Sequence, residues 1–169
     1  MDTYVVVASK RDWRSYADRP VPADVQRRIL DAGRLSGSSQ NKQPWLFVVI
    51  EGSEAKERLA QLVYAPSNIL TSAFAVAIAT EGGKYPFDAG RAMQNMMLAA
   101  WNEGIASCPN GVPDPEAAAA PLGLEEGRLP VNIPSFGYPK RPLDPESKSA
   151  EDWSAAANRK PLDELVRHA

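Results

Sequence analysis

The chain contains one cysteine, Cys108, and one histidine, His168. A lone thiol cannot close an intrachain disulfide, so a stapled secreted scaffold is excluded and a cytoplasmic address is expected. With His168 so close to the last residue of the sequence, no histidine is placed for a Ser-His-Asp triad or a histidine-rich metal site, and Cys108 has no internal histidine to activate it. Nucleotide signatures are missing too. Gly82-Gly83-Lys84 lacks the upstream glycine of a P-loop, and GxGxxG does not occur. The net charge is −2 with no dense Lys/Arg run, which argues against nucleic acid as a partner. Apolar runs are short: Tyr4 to Ala8 falls below a signal-peptide core, and nothing approaches a membrane span.

What is present reads as an ordinary globular chain, and 169 residues fit one domain, 1–169. Val25, Ile29, Ala32 and Gly33 recur at helical spacing after Pro22-Ala23-Asp24, which predicts a helix from about Pro22 to Leu35. Trp45 to Ile50 and Phe74 to Ala79 are nearly continuous apolar runs and predict central strands buried on both faces. Between them, Ser53 is expected to cap a second helix that turns Leu59, Leu62 and Val63 inward. The longest pattern, Asp88 to Glu103, carries Ala89, Ala92, Met93, Met96, Met97 and Ala100 on one face and stops at Gly104. Nine of the 15 prolines lie between Pro109 and Pro145, which implies an extended path there, with a short helix in Asp114 to Leu122 and an edge strand at Leu129 to Ile133. Residues 148–169 form a polar arm, either disordered or ordered by packing on a partner subunit.

A chain without its own acid–base apparatus leaves the hard chemistry to a cofactor if it is an enzyme. Gly37-Ser38-Ser39-Gln40-Asn41-Lys42-Gln43 is rich in neutral donors and acceptors, which suit the carbonyl and N–H edge of a flavin. Lys10, Arg11 and Arg14 form one cationic cluster, and Arg159 and Lys160 a second, either of which suits a terminal phosphate. Each group also has a plain alternative: the loop as a helix-to-strand turn, the charges as a solvated face.

The order Lys10-Arg11-Asp12-Trp13-Arg14-Ser15-Tyr16, Pro20-Val21-Pro22, a helix, Gly37 to Trp45 and an apolar strand resembles the nitroreductase family of FMN-dependent oxidoreductases. Asp88 to Ala100 is similar to that family's central dimer helix, Gly104 to Cys108 to the strand entering its second flavin loop, Phe136-Gly137-Tyr138-Pro139 to its late turn, and Arg159-Lys160-Pro161-Leu162 to its tail. The resemblance implies an α+β fold of three layers, a mixed, mostly antiparallel sheet flanked by helices, in an intertwined homodimer whose arms at 148–169 embrace the partner. It implies FMN held at its phosphate by Lys10, Arg11, Arg14 and Arg159, with Lys160 beside it. Ser38, Ser39, Asn41 and Gln43 would meet the ribityl chain and ring edge. Pro109, Asn110 and Gly111 would offer a backbone N–H to the ring, and Asn68 would contribute from the partner subunit.

Two positions depart from the family pattern. Asp12 stands where many members have serine, and is expected to bond a ribityl hydroxyl or orient an arginine; Gly37 replaces a frequent proline. The implied activity is ping-pong hydride transfer from NADH or NADPH through FMN to a small-molecule acceptor such as a nitroaromatic or quinone. No protein side chain is expected to act as catalyst and no metal to bind. The alternatives are a flavin-consuming enzyme similar to dimethylbenzimidazole synthase, a deazaflavin-linked enzyme, a non-catalytic flavin-binding protein, and an interaction domain with no flavin.

Overall fold

A computed structural model describes residues 1–168, which fall into two compact units: residues 11–142, and residues 1–10 with 143–168. In the larger unit, the apolar run after the amide loop becomes strand β1 (Trp45–Ile50), and FAVAIATE becomes β2 (Phe74–Glu81). Three further strands follow, β3 (Ala106–Cys108), β4 (Arg128–Asn132) and β5 (Ser135–Gly137). The sheet order is β1-β2-β5-β3, with β4 also paired to β2, and every pairing between these strands is antiparallel. The one parallel element is a bridge from Asp12 to Ser107, which adds the segment around residues 12–16 beyond β3.

β2 organises both cores. Side chains alternate across a strand, and here Phe74, Val76 and Ile78 enter one cluster while Ala75 and Ala77 enter another. The first is closed by helix α2 (Ala23–Arg34) through Val25 and Ile29, and by helix α5 (Pro86–Asn102) through Ala89, Met96, Met97 and Ala100. The second is closed by α3 (Ser53–Ala60), α4 (Pro66–Leu70) and α6 (Pro115–Ala119), with Leu59, Ile69 and Ala118 pointing in. This is the expected three-layer α+β arrangement, and both long helices lie within a residue or two of their predicted bounds.

Several details differ from expectation. β1 is not central: it is the outer strand beside β2, and Leu46 and Val49 remain about 40% and 39% exposed. The Ala/Met face of α5 packs inside the chain against α2 and the sheet. Gly52, not Ser53, occupies the cap position of α3, and no side chain caps it. β4 tolerates Pro130 because it pairs only with β2, at a point where the register shifts between Ile78 and Ala79.

The smaller unit contains α1 (Thr3–Ser9), an element that the β-branched run Val5-Val6-Val7 conceals from a periodicity reading. Its start is fixed by Asp2, whose carboxylate accepts the N–H groups of Tyr4 at 2.8 Å and Val5 at 3.2 Å. α1 packs against α7 (Ala150–Ala155), where Ser149 serves as cap and Trp153 donates its indole N–H to the Pro145 carbonyl at 2.8 Å. Among the described residues no helix is long and apolar enough to cross a membrane.

Candidate functional site

The loop between α2 and β1 has an unusual backbone. Gln40, Asn41 and Gln43 all adopt positive φ, at 53°, 55° and 48°, in a region that side chains rarely occupy. Residues held this way persist only when the surroundings over-determine them, and they concentrate at binding sites. Two contacts hold the loop. Ser38 Oγ accepts the Gln43 N–H at 2.8 Å, and the buried carboxylate of Asp88 accepts the Ser39 N–H at 3.3 Å. Asp88 lies in the first turn of α5, where the helix macrodipole favours a negative charge. Arg91, one turn on, sits 4.0 Å from Asp88, and its guanidinium occupies the place where a Cβ at Gly37 would fall, 2.6 Å from Nη2. That accounts for glycine at 37: any side chain there must displace Arg91.

With its backbone secured, the loop turns its own side chains outward. Ser39, Asn41 and Gln43 are exposed, and the single bond from Gln43 Nε2 to the Asn41 carbonyl is long, at 3.4 Å. Gln43 lines two recesses. One, of about 230 Å³, is bounded by Lys42, Pro44, Glu81, Tyr85 and Arg128, with the Lys42 ammonium 5.6 Å from the centre of the Tyr85 ring. The other runs along Leu30, Arg34, Leu46 and the stacked pair Trp45 and Phe47.

A second set of candidate residues gathers at the opposite edge of the sheet. Arg11, Asp12 and Arg14 lie on the segment that runs beside β3, where the Trp13 N–H donates to the Ser107 carbonyl at 3.0 Å. Directly after β3 come Pro109, Asn110 and Gly111. Pro109 has no N–H, and the Asn110 N–H is bonded to the Ile133 carbonyl at 3.2 Å. The Gly111 N–H has no partner among the described residues, so it is the donor this turn has available. Tyr64 donates its N–H to the Gly111 carbonyl at 3.2 Å and lays its largely exposed ring where a Cβ at 111 would be, 3.0 Å from Cδ2.

Asn68 and Asn110 are brought together, but inward: Asn68 Nδ2 donates to Asn110 Oδ1 at 2.8 Å, and both residues are buried. Cys108 is buried beside them, its sulfur 3.7 Å from Asn68 Nδ2. Tyr16 joins the same buried region, and burial raises the pKa of its phenol well above the ordinary tyrosine value. The remaining candidates belong to the smaller unit. Lys10 follows α1 as its terminal cap, while Arg159 and Lys160 are exposed, Arg159 Nη1 donating to the Ala157 carbonyl at 2.8 Å.

Sequence reasoning named the polar loop but missed what holds it. Asp88 was visible only as an acid at a helix start, and Arg91, Tyr64 and Tyr85 gave no separate signal. Chemically, one edge of the sheet offers neutral amides and hydroxyls on a loop, and the opposite edge an unbonded backbone N–H with the Arg11 and Arg14 segment running beside β3. Both are sets of hydrogen-bond donors, and neither contains a histidine among the described residues.

Comparison with known proteins gives a consistent result. The Nitroreductase family model matches residues 7–81 and 84–138. A protein of Archaeoglobus fulgidus, provisionally named NADH dehydrogenase/NAD(P)H nitroreductase, is 29% identical over 150 residues, covering 82% of this chain and 86% of its own. Among solved structures, a nitroreductase family protein of Clostridium difficile 630 superposes with a TM-score of 0.83 at 24% identity, covering 99% of this chain and 98% of that one. An FMN-dependent nitroreductase of Clostridium difficile R20291 superposes at 0.75 with 21% identity, covering 86% and 94%.

Proposed function

Since the chain belongs to the nitroreductase family and is therefore an oxidoreductase, we propose that it is an FMN-dependent NAD(P)H oxidoreductase acting on a small acceptor such as a nitroaromatic or quinone. The observation that carries this reading is a loop whose backbone is held while its amides at Asn41 and Gln43 stay exposed; the unbonded N–H at Gly111 lies at the opposite edge of the sheet and would reach the same cofactor only from the other subunit. Both are donors left over once the fold has satisfied its own needs. The relative from Clostridium difficile R20291 is by name FMN-dependent, which adds weight to the choice of cofactor.

In this reading Arg11 and Arg14, with Lys10, Arg159 and Lys160, neutralise the FMN phosphate. Ser38, Ser39, Asn41 and Gln43 meet the ribityl chain and ring edge, and Asp12 bonds a ribityl hydroxyl or orients an arginine. When bound, FMN supplies the capacity to take a hydride from NAD(P)H and to pass electrons to the acceptor. The chain's own residues bind and orient. The Gly111 N–H, fixed in direction by its peptide plane, would place a partial positive charge against the ring, with the Tyr64 ring beside it. A homodimer supplies the site from two subunits, with the arm at 148–169 reaching the partner.

The test is direct. Purified protein should be yellow, should take up added FMN in preference to FAD, and should be dimeric by light scattering. Arg11→Ala or Arg159→Ala should weaken FMN binding by about 1.5–3 kcal/mol, the scale of one lost charged hydrogen bond. Anaerobic titration with NADH and NADPH then identifies the reductant. A colourless protein that ignores added FMN refutes the reading.

A further inference from the structure

Behind the Pro109–Gly111 turn, side chains from separate stretches of chain meet in the interior: Tyr16, Asn68, Asn110 and Ser135 are each no more than 3% exposed. Their bonds form one directed series. The Tyr16 hydroxyl lies 3.0 Å from Ser135 Oγ, which donates onward to the Cys108 carbonyl at 3.2 Å. Asn110 Nδ2 donates to the Ile133 carbonyl at 2.8 Å, to the Cys108 carbonyl at 3.1 Å and towards Ser135 Oγ at 3.3 Å. Asn68 Nδ2 closes the series on Asn110 Oδ1. A buried polar network in which every donor has an acceptor fixes one geometry more narrowly than apolar packing does.

The network grips the side chain of a residue whose own peptide plane is held by two backbone bonds. The Ile133 N–H bonds the Asn110 carbonyl at 3.0 Å, while the Asn110 N–H bonds the Ile133 carbonyl. In a trans peptide the carbonyl and the following N–H point in opposite directions. Tying the Asn110 carbonyl to Ile133 therefore turns the Gly111 N–H away from that strand. If Asn110 were free to rotate, this donor would lose its direction. For Asn68 to reach a ligand itself, it would have to abandon Asn110 Oδ1 in the interior.

We propose that Asn68, Ser135 and Tyr16 are positioning residues that act through Asn110 to aim the Gly111 N–H, and that they thereby set the affinity and reduction potential of bound FMN. The proposal rests on the FMN reading and departs from the expectation that Asn68 touches the cofactor. It also ties the cation-bearing segment to the turn, because Tyr16 stands two residues beyond Arg14.

Tyr16→Phe, Asn68→Ala and the double variant test it through FMN titration by fluorescence, the potential of the bound flavin, and amide exchange at Gly111 in FMN-free protein. Each single variant should weaken FMN by about 5- to 10-fold, the scale of one neutral hydrogen bond acting on the donor. Both should shift the potential and change Gly111 exchange. The double variant should resemble the weaker single rather than their product, because breaking the series at either end frees the same plane. Lowered melting with unchanged affinity and potential would make these ordinary core bonds and overturn the proposal, as would losses that multiply. If the wild type takes up no FMN, the cofactor reading fails separately. The exchange measurement still decides: unchanged Gly111 exchange in both variants overturns the positioning role, and altered exchange supports it.

Discussion

Asp88 offers the sharpest quantitative test of how the amide loop is held. Its carboxylate is buried, accepts the Ser39 N–H at 3.3 Å, and sits in the first turn of α5. A hydrogen bond to a charged group contributes about 1.5–3 kcal/mol, and the 3.3 Å length argues for the lower part of that range. Placement at a helix N-terminus adds about 0.3–1 kcal/mol. Arg91 is half exposed and 4.0 Å away, so its pairing adds no more than about 0.5 kcal/mol. Asp88→Ala should therefore destabilise by about 2–4 kcal/mol, and Asp88→Asn, which retains an acceptor oxygen but no charge, by about 1–2 kcal/mol. Urea unfolding gives both numbers, and amide exchange at Ser39 shows whether the loop is what was released. If the Asn variant unfolds with wild-type stability, the charge plays no part. If Ser39 exchange is unchanged in the Ala variant, Asp88 does not anchor the loop.

Further expectations concern buried groups. Ser107 Oγ is buried with no hydrogen-bond partner among the described residues, so Ser107→Ala should be neutral or stabilising by up to about 1 kcal/mol in urea unfolding; a marked loss would reveal a hidden partner. Phe136 stacks on Phe74 with centroids 4.9 Å apart and is fully buried, so Phe136→Ala should cost about 3–5 kcal/mol, and a loss under 1 kcal/mol would contradict the packing. The Tyr16 phenol is raised in the folded state, so the unfolded chain ionises first as pH climbs past about 10. The folded form then holds more protons than the unfolded one, and stability falls by up to about 1.4 kcal/mol per pH unit. Tyr16→Phe should remove that alkaline slope in urea midpoints measured between about pH 9 and 11.5, and an identical slope would place it elsewhere.

Local signals carried the long elements. The spacing of Val25 and Ile29, the apolar run of β2 and the three-and-four pattern of α5 each fixed an element's type, because burial against a sheet selects those periods. Position in the sheet was less visible. WLFVVI reads as central, yet it is the outer strand, since an apolar run does not say which neighbours it gains. The polar loop was legible from its composition, but its anchor was not: Ser39 and Asp88 are 49 residues apart, and nothing in either stretch names the other. The same holds for Asn68 and Asn110, separated by 42 residues, whose amides look available in sequence and meet each other in the fold. Likewise, the partner of the methionine face of α5 inside the chain, α2, lies far upstream and is not named by the α5 sequence.

The left-handed backbone at Gln40, Asn41 and Gln43 has a consequence for laboratory evolution. At each of these positions glycine would relieve a conformational penalty of about 1 kcal/mol. A selection that rewards only survival of heating should therefore drift towards glycine, at Gln40 first, where no role has been assigned to the side chain. On the FMN proposal, a selection that rewards retention of the flavin colour should keep the amides at 41 and 43. Run side by side from the same library, the two selections would separate what folding asks of this loop from what its ligand asks.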